Sequence, residues 1–224
     1  RYDRLNTLMS VGRHHAWRRM ALGMALQGLL VKGPVLDLAA GTLDFPMIGP
    51  KSLDWVAADF SLPMLEMGIR KLRRSGLSDT VSLALSDAHA LPFRDQSFAM
   101  ITVGFGIRNF AEQPLALSEI RRVLKPRGRL VVLDIVSPRD PGLSGQLFAA
   151  AFRALAPVLG LVFAGDRDAY TYLPESVASL SADSLSNLMQ KVDLRLLHTR
   201  LFAFGSVAIL VGEKPNADAI EGIE

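Results

Sequence analysis

Three short segments carry acids at the ends of apolar runs, and their spacing suggests one shared ligand. The run Pro34-Val35-Leu36-Asp37-Leu38 passes into the small-residue turn Ala39-Ala40-Gly41-Thr42. Small residues there let the backbone approach a ligand closely, and Thr42 adds a hydroxyl and an amide. A second run, Trp55-Val56-Ala57-Ala58-Asp59, ends in a carboxylate about 20 residues beyond the first. A carboxylate so placed accepts both ribose hydroxyl protons of an adenosine. The third run, Val81 to Leu85, leads into Ser86-Asp87-Ala88, where an acid or amide can bond an adenine amino group. Each strand-end acid taken alone reads as a loop or helix cap. Together they predict a nucleoside site built from Asp37, Gly41, Thr42, Asp59, Asp87 and Ala88.

The turn after the first run is not the Gly-x-Gly-x-x-Gly that aims a helix N-terminus at a pyrophosphate. A nicotinamide-dependent oxidoreductase is therefore disfavoured. S-adenosylmethionine carries no phosphate and needs only the close turn and the ribose acid.

These segments are positioned by strands alternating with helices, the pattern of a parallel sheet covered on both faces. Leu8 to Leu30 has helical texture, with Trp17, Met20, Met24 and Leu30 expected to pack inward. A helix after Asp59 is expected to use Ser61 as its cap and Met64, Leu65, Ile69 and Leu72 as its apolar face. A fourth strand spans Met100 to Val103. A helix from Glu112 to Leu124 is expected to stop at a Lys125-Pro126-Arg127-Gly128 turn, before a fifth strand from Leu130 to Ile135. Helical segments follow around Leu147 to Phe163, Ala169 to Leu180 and Asp183 to Val192. Leu194 to Phe202 and Ser206 to Gly212 read as an antiparallel pair across Ala203-Phe204-Gly205.

The expected fold is a single α/β, Rossmann-like domain with a mostly parallel seven-stranded sheet, an antiparallel C-terminal strand pair and helices on both faces. Within it, 1–32 reads as an N-terminal helical lid and 33–136 as the cofactor-binding half. Residues 137–192 read as a helical substrate cover, and 193–214 as the closing strand pair.

Composition excludes several classes. The chain has 224 residues, 50% of them hydrophobic and 21% charged, enough apolar surface for a sizeable core and too much for a disordered chain. The net charge of +3 is spread over several segments rather than one stripe, which argues against nucleic acid. With no cysteine, thiolate zinc sites and cysteine nucleophiles are ruled out. No cluster with metal-ligand spacing is visible, and no metal is expected. The chain opens at Arg1 without an initiator Met or a signal-peptide pattern, and this start is not expected to be the natural one. The most apolar stretch, Leu143 to Ala164, is interrupted by Arg153, Pro157 and Gly160, so it reads as core or amphipathic helix rather than a span.

From Tyr2 to Lys214 the chain resembles the ubiquinone/menaquinone biosynthesis C-methyltransferase family. The matching blocks begin with Tyr2-Asp3-Arg4-Leu5-Asn6, Leu8-Met9-Ser10 and Val35-Leu36-Asp37-Leu38-Ala39 with Gly41-Thr42. Ala90-Leu91-Pro92-Phe93 and Arg122-Val123-Leu124-Lys125-Pro126 recur across many methyltransferases. More diagnostic are Phe105-Gly106-Ile107-Arg108-Asn109 and Tyr170-Thr171-Tyr172-Leu173-Pro174-Glu175-Ser176, with Gly212-Glu213-Lys214 closing the match. By position, Thr42, Asp59, Asp87 and Ala88 fall on the family's cofactor contacts. A further contact, usually a serine hydroxyl, falls on Gly104, where only backbone could serve. The family loop usually continues Gly-Thr-Gly-Asp, whereas Leu43 stands before Asp44 here. Asp44 to Asp59 is also about one helical turn short, with Pro46 and Pro50 where a covering helix is expected. Either that helix is reduced to a loop or residues are absent.

The resemblance implies C-methylation of a prenylated quinol by S-adenosylmethionine, with demethylmenaquinol the leading substrate and the benzoquinol step of ubiquinone formation the other. It makes Arg108 the candidate for stabilising a quinol oxyanion. Asn109 would orient it, and Tyr172 would bond or stack on the ring. His89, His14 and His15 read as structural rather than catalytic. Leu147, Phe148, Phe152, Leu155, Leu159 and Phe163 would line a groove for the isoprenoid tail or touch the bilayer. Ordinary core packing plus a homodimer face explains them equally well. The expected location is the cytoplasm, peripheral to the inner face of the membrane. Two other functions stay open: a methyltransferase for another small aromatic or lipid, and a non-catalytic cofactor-binding or assembly subunit.

Overall fold

A computed structural model describes residues 13–77, 81–137 and 180–216. Seven strands form one sheet: β1 (Val35–Leu38), β2 (Trp55–Asp59), β3 (Val81–Leu85), β4 (Phe98–Gly104), β5 (Leu124–Ile135), β6 (Arg195–Phe202) and β7 (Val207–Glu213). Their order is β3-β2-β1-β4-β5-β7-β6. The first five are parallel, and β7 runs antiparallel to both β5 and β6. The helices are α1 (His14–Leu26), α2 (Asp44–Ile48), α3 (Leu62–Arg74), α4 (Gln113–Val123) and α5 (Ala182–Lys191). The expected helices around Leu147 to Phe163 and Ala169 to Leu180 lie outside the described residues, apart from Leu180 itself.

The central strands are buried on both faces, so their apolar residues run continuously and divide by alternation. On β5, Leu130 and Val132 point to the layer holding Ile120 of α4 and Leu185 of α5, whereas Val131 and Leu133 point to the layer holding Trp17 and Leu22 of α1. Each such side chain, fully buried, contributes about 1.5–3 kcal/mol of transfer free energy. A third cluster seats α3 through Leu65 and Leu72 against Leu43 and Ala57.

The inward stripe of α1 is His14, Trp17, Arg18, Ala21, Leu22 and Ala25. Of the expected set, Trp17 is in this cluster and Met20 and Met24 pack against it partly buried, whereas Leu30 is corrected: it is 73% exposed beyond the helix end. Arg129 of β5 fixes α1 in place by donating to the carbonyls of Ala25 and Gln27, both at 2.7 Å. It thereby satisfies acceptors that the helix end leaves open.

Three further local expectations change. Lys125-Pro126-Arg127-Gly128 is not a turn after α4 but the first part of β5, which starts at Leu124 opposite Phe98. A register shift between Phe98 and Met100 absorbs the irregularity, and Arg127 takes φ +62°. The short segment after Leu43 keeps a five-residue helix, α2, with Pro46 in its first turn where proline is tolerated. Ser61 precedes α3, but its hydroxyl makes no capping bond; its amide instead donates to Asp59 Oδ1 at 2.8 Å.

Candidate active site

Strand register lines up the elements that build the site. Leu38 of β1 lies opposite Ala58 of β2 and Val103 of β4, and Asp59 lies opposite Leu85 of β3. One step further along the chain, Ala39, Asp59 and Gly104 therefore share a row at the carboxyl edge. The sheet order reverses between β1 and β4, and ligands of open α/β sheets bind at that crevice. A cavity of about 530 Å³ opens there, within the range of small-molecule sites.

The residues predicted to hold a nucleoside converge on this cavity. Gly41, Thr42, Asp59, Asp87, Ala88 and Gly104 all line it, as does Asn109. Asp59 accepts from the Gly41 amide at 2.7 Å, tying the end of β2 to the loop after β1. Asp37 lies just behind the wall, 2% exposed, and accepts from the Thr102 hydroxyl at 2.7 Å. Burial pushes its carboxyl up to about 7, with Thr102 and Arg18 opposing the rise.

The loop's conformation explains why small residues suffice. Ala39, Gly41 and Leu43 all have positive φ, and so does Phe105 after β4. Positive φ at non-glycine residues is strained and tends to cluster at functional sites. Leu43 keeps the left-handed turn (φ +66°, ψ +38°) with a side chain fully buried against Gly68. Glycine is thus not required at this position. Gly104 has a different reason to be glycine: a Cβ there would meet Phe45 Cε2 at 2.7 Å. Phe45 of α2 occupies the space into which a side chain at 104 would point.

Arg108 does not line the cavity. It lies in a 3₁₀ turn (Ile107–Asn109), and its guanidinium pairs with Asp134 at 2.5 Å and donates to the Phe105 carbonyl at 2.8 Å. This pair is internal: the Asp134 side chain is wholly buried and that of Arg108 10% exposed. Burial raises the Asp134 carboxyl above its usual range, against the pull of Arg108. Arg108 Nε has no hydrogen-bond partner. Tyr172 lies outside the described residues.

The histidines resolve by their partners. His89 donates from Nδ1 to Asp87 at 2.5 Å, and its Nε2 accepts from the Glu112 amide at 3.1 Å. With its lone pair engaged, His89 has no free basic nitrogen. The Asp87 carboxyl is held below its usual range by the amide and ring of His89. His14 accepts from Arg18 at 2.9 Å, and burial first, then His15 and Arg18, push it down to about 4. His15 is shifted down too, chiefly by burial.

Sequence reasoning missed the basic end of the cavity. Arg18 pairs with Asp44 at 3.1 Å, and Lys71 of α3 reaches the same carboxylate at 2.5 Å. Burial works against the Asp44 charge, but the two cations outweigh it and hold its carboxyl low. A signal did exist. Arg18 falls on the buried stripe of α1, where a charge has to have a partner. Among the described residues no group of three or more acids and histidines is placed to hold a metal ion.

The profile of the ubiE/COQ5 methyltransferase family matches residues 1–214. The chain belongs to this family. It is 40% identical over 220 residues to a demethylmenaquinone methyltransferase of Thermus thermophilus, covering 96% of this chain and 97% of that one. A ubiquinone/menaquinone biosynthesis C-methyltransferase UbiE of Hahella chejuensis is 35% identical, covering 96% and 87%. A SAM-dependent methyltransferase structure from Aquifex aeolicus superposes with a TM-score of 0.64 at 19% identity, covering 95% and 97%. That likeness extends to the fold: a mostly parallel seven-stranded sheet closed by an antiparallel pair.

Proposed function

We propose that this chain transfers the methyl group of S-adenosylmethionine to a ring carbon of a prenylated quinol, demethylmenaquinol first and the benzoquinol of ubiquinone formation second. The observation that carries the reading is the convergence of Gly41, Asp59, Asp87 and Ala88 on one cavity at the switch point of the sheet. The relatives' names supply the quinol.

The cavity fits such a cofactor. Asp59 offers a carboxylate to ribose hydroxyls, and Asp87 with the Ala88 backbone offers polar groups for adenine. Gly106, whose Cβ would meet Ala39 at 2.7 Å, keeps the β4 loop close to the β1 loop. Left-handed turns at Ala39 and Gly41 fold the backbone at the cavity wall. When bound, S-adenosylmethionine supplies a methyl already activated for in-line displacement by a carbon nucleophile. The chain's task is alignment and stabilisation of the quinol oxyanion. Arg108 is proposed to donate from Nε, which is buried without a hydrogen-bond partner, while Asp134 and the Phe105 carbonyl both hold Nη1. Because Asp134 balances its charge, Arg108 acts as a directed donor rather than a free cation. Asn109, on the cavity wall, orients it, and Tyr172 takes a ring oxygen or stacks on the ring.

Catalysis rather than mere binding is supported by how the departures are absorbed. Leu43 keeps the turn, and Gly104 makes room for Phe45. No metal is needed for this chemistry. The quinol's tail places the chain at the inner face of the membrane as a peripheral protein. No described helix is long and apolar enough to cross one. Homodimerisation through the apolar cover stays part of the proposal, and nucleic acid has no part in it.

Calorimetric titration with S-adenosylmethionine and S-adenosylhomocysteine tests the site. Micromolar binding is expected, weakened by Asp59→Ala by about 1–3 kcal/mol through lost charge-assisted bonds. Absence of binding by folded protein would overturn the reading.

A further inference from the structure

The acids assigned to the cofactor all serve its adenosine end, and none of them is assigned to its amino-acid end. We infer that Arg18, from α1, binds the carboxylate of the cofactor's methionine moiety, an inference that rests on the cofactor reading above.

Strand order gives the direction. Asp87 follows β3, Asp59 ends β2, the Ala39–Thr42 loop follows β1 and Gly104 ends β4, and these strands are successive neighbours in the sheet. A nucleoside held by Asp87 and Asp59 therefore extends its tail across the β1 loop toward Gly104. Arg18 is there. Its Nε lies 3.7 Å from the point where a Cβ on Gly104 would stand, and its side chain lines the cavity.

The guanidinium is built in rather than merely near. Its side chain is 7% exposed, and its carbon sits 5.6 Å from the Phe45 ring centre and 5.1 Å from that of Phe105. His14 and Asp44 engage its two terminal nitrogens. Nε is left buried without a hydrogen-bond partner, a cost that an anionic ligand in the cavity would remove. The Arg129 bonds to the end of α1 fix the helix that carries Arg18.

Charge points the same way. Among the described residues, Arg18 and Lys71 meet at Asp44, and burial holds His14 down at about 4. Asp37, behind the wall, is pushed up to about 7 and so carries only part of a negative charge near neutrality. Adenosine needs no cation, so a guanidinium on the cavity wall is placed for the other end of the cofactor.

A purely structural Arg18, serving only Asp44, would give the same burial, so the test compares two ligands. S-adenosylhomocysteine carries the amino-acid carboxylate, and methylthioadenosine has the same nucleoside and sulfur without it. Calorimetry on wild type, Arg18→Met and Arg18→Lys is expected to show S-adenosylhomocysteine weakened about 10- to 100-fold by Arg18→Met. Methylthioadenosine should stay within about twofold, the spread of a negligible interaction. Arg18→Lys keeps a cation for Asp44 but lacks Nε, and the same ligand-selective loss is expected from it if Arg18→Met does not fold. Equal weakening of both ligands, or of neither, would overturn the inference. Wild type that binds neither ligand would instead remove the cofactor reading itself.

Discussion

Leu43 and Gly68 give a stability prediction whose sign depends on the partner. Leu43 holds a left-handed backbone at φ +66°, a strain of about 1–2 kcal/mol for an L-residue. Glycine would relieve it. Yet the Leu43 side chain is fully buried, so removing it costs about 2–5 kcal/mol through lost burial and a cavity, and glycine adds about 0.5–1 kcal/mol of chain entropy. The balance for Leu43→Gly is a net loss of about 2–4 kcal/mol. Gly68 on α3 faces that side chain, and a Cβ there would stand 2.4 Å from Leu43 Cγ. In wild type, Gly68→Ala therefore overpacks by about 1–3 kcal/mol, partly offset by about 1 kcal/mol of helix propensity. In the Leu43→Gly background the clash is gone, and the same change should stabilise by about 1 kcal/mol. Urea unfolding followed by far-ultraviolet circular dichroism on the four proteins measures the cycle, provided the slopes agree. Equal effects of Gly68→Ala in both backgrounds, within about 0.5 kcal/mol, would refute the packing argument.

Other expectations concern the charged groups. The folded Asp37 carboxyl at about 7 lies above its unfolded value of 3.8, so the stability it confers is full below 3.8 and lost as pH rises through 7. Asp37→Asn, which keeps an acceptor for Thr102, should match wild type near pH 4 and exceed it by about 2–4 kcal/mol at pH 8; a difference independent of pH would contradict this. Arg108→Ala strands the buried Asp134 and should cost about 3–5 kcal/mol in denaturant titration. Arg108→Lys keeps a cation there but lacks Nε. It should lower kcat by about tenfold or more while sparing S-adenosylhomocysteine affinity, and a defect confined to affinity would count against the donor role.

The sheet was legible because its signals are local. Apolar runs ending in Asp59 and in Asp37-Leu38 carry both strand and site, and the structure brings these ends together as expected. What escaped depends on contacts between distant residues. Arg18 belongs to the cavity only because α1 packs over β5 and β7, and Asp134 becomes the partner of Arg108 only through the turn after β4. Asp44 to Asp59 reads as about one helical turn short, with two prolines where a helix is expected, yet Pro46 sits in the first turn of α2, where its missing amide costs nothing. Lys125-Pro126-Arg127-Gly128 has the composition of a turn, yet pairing of Leu124 with Phe98 draws it into β5.

The most direct test of the central claim is methyl transfer itself. Purified protein would be given isotopically methyl-labelled S-adenosylmethionine and reduced demethylmenaquinone in detergent micelles. The account predicts label on the quinol ring carbon in step with S-adenosylhomocysteine release, and loss of both with Asp59→Ala at limiting cofactor. Tight cofactor binding without label reaching either naphthoquinol or benzoquinol would contradict it.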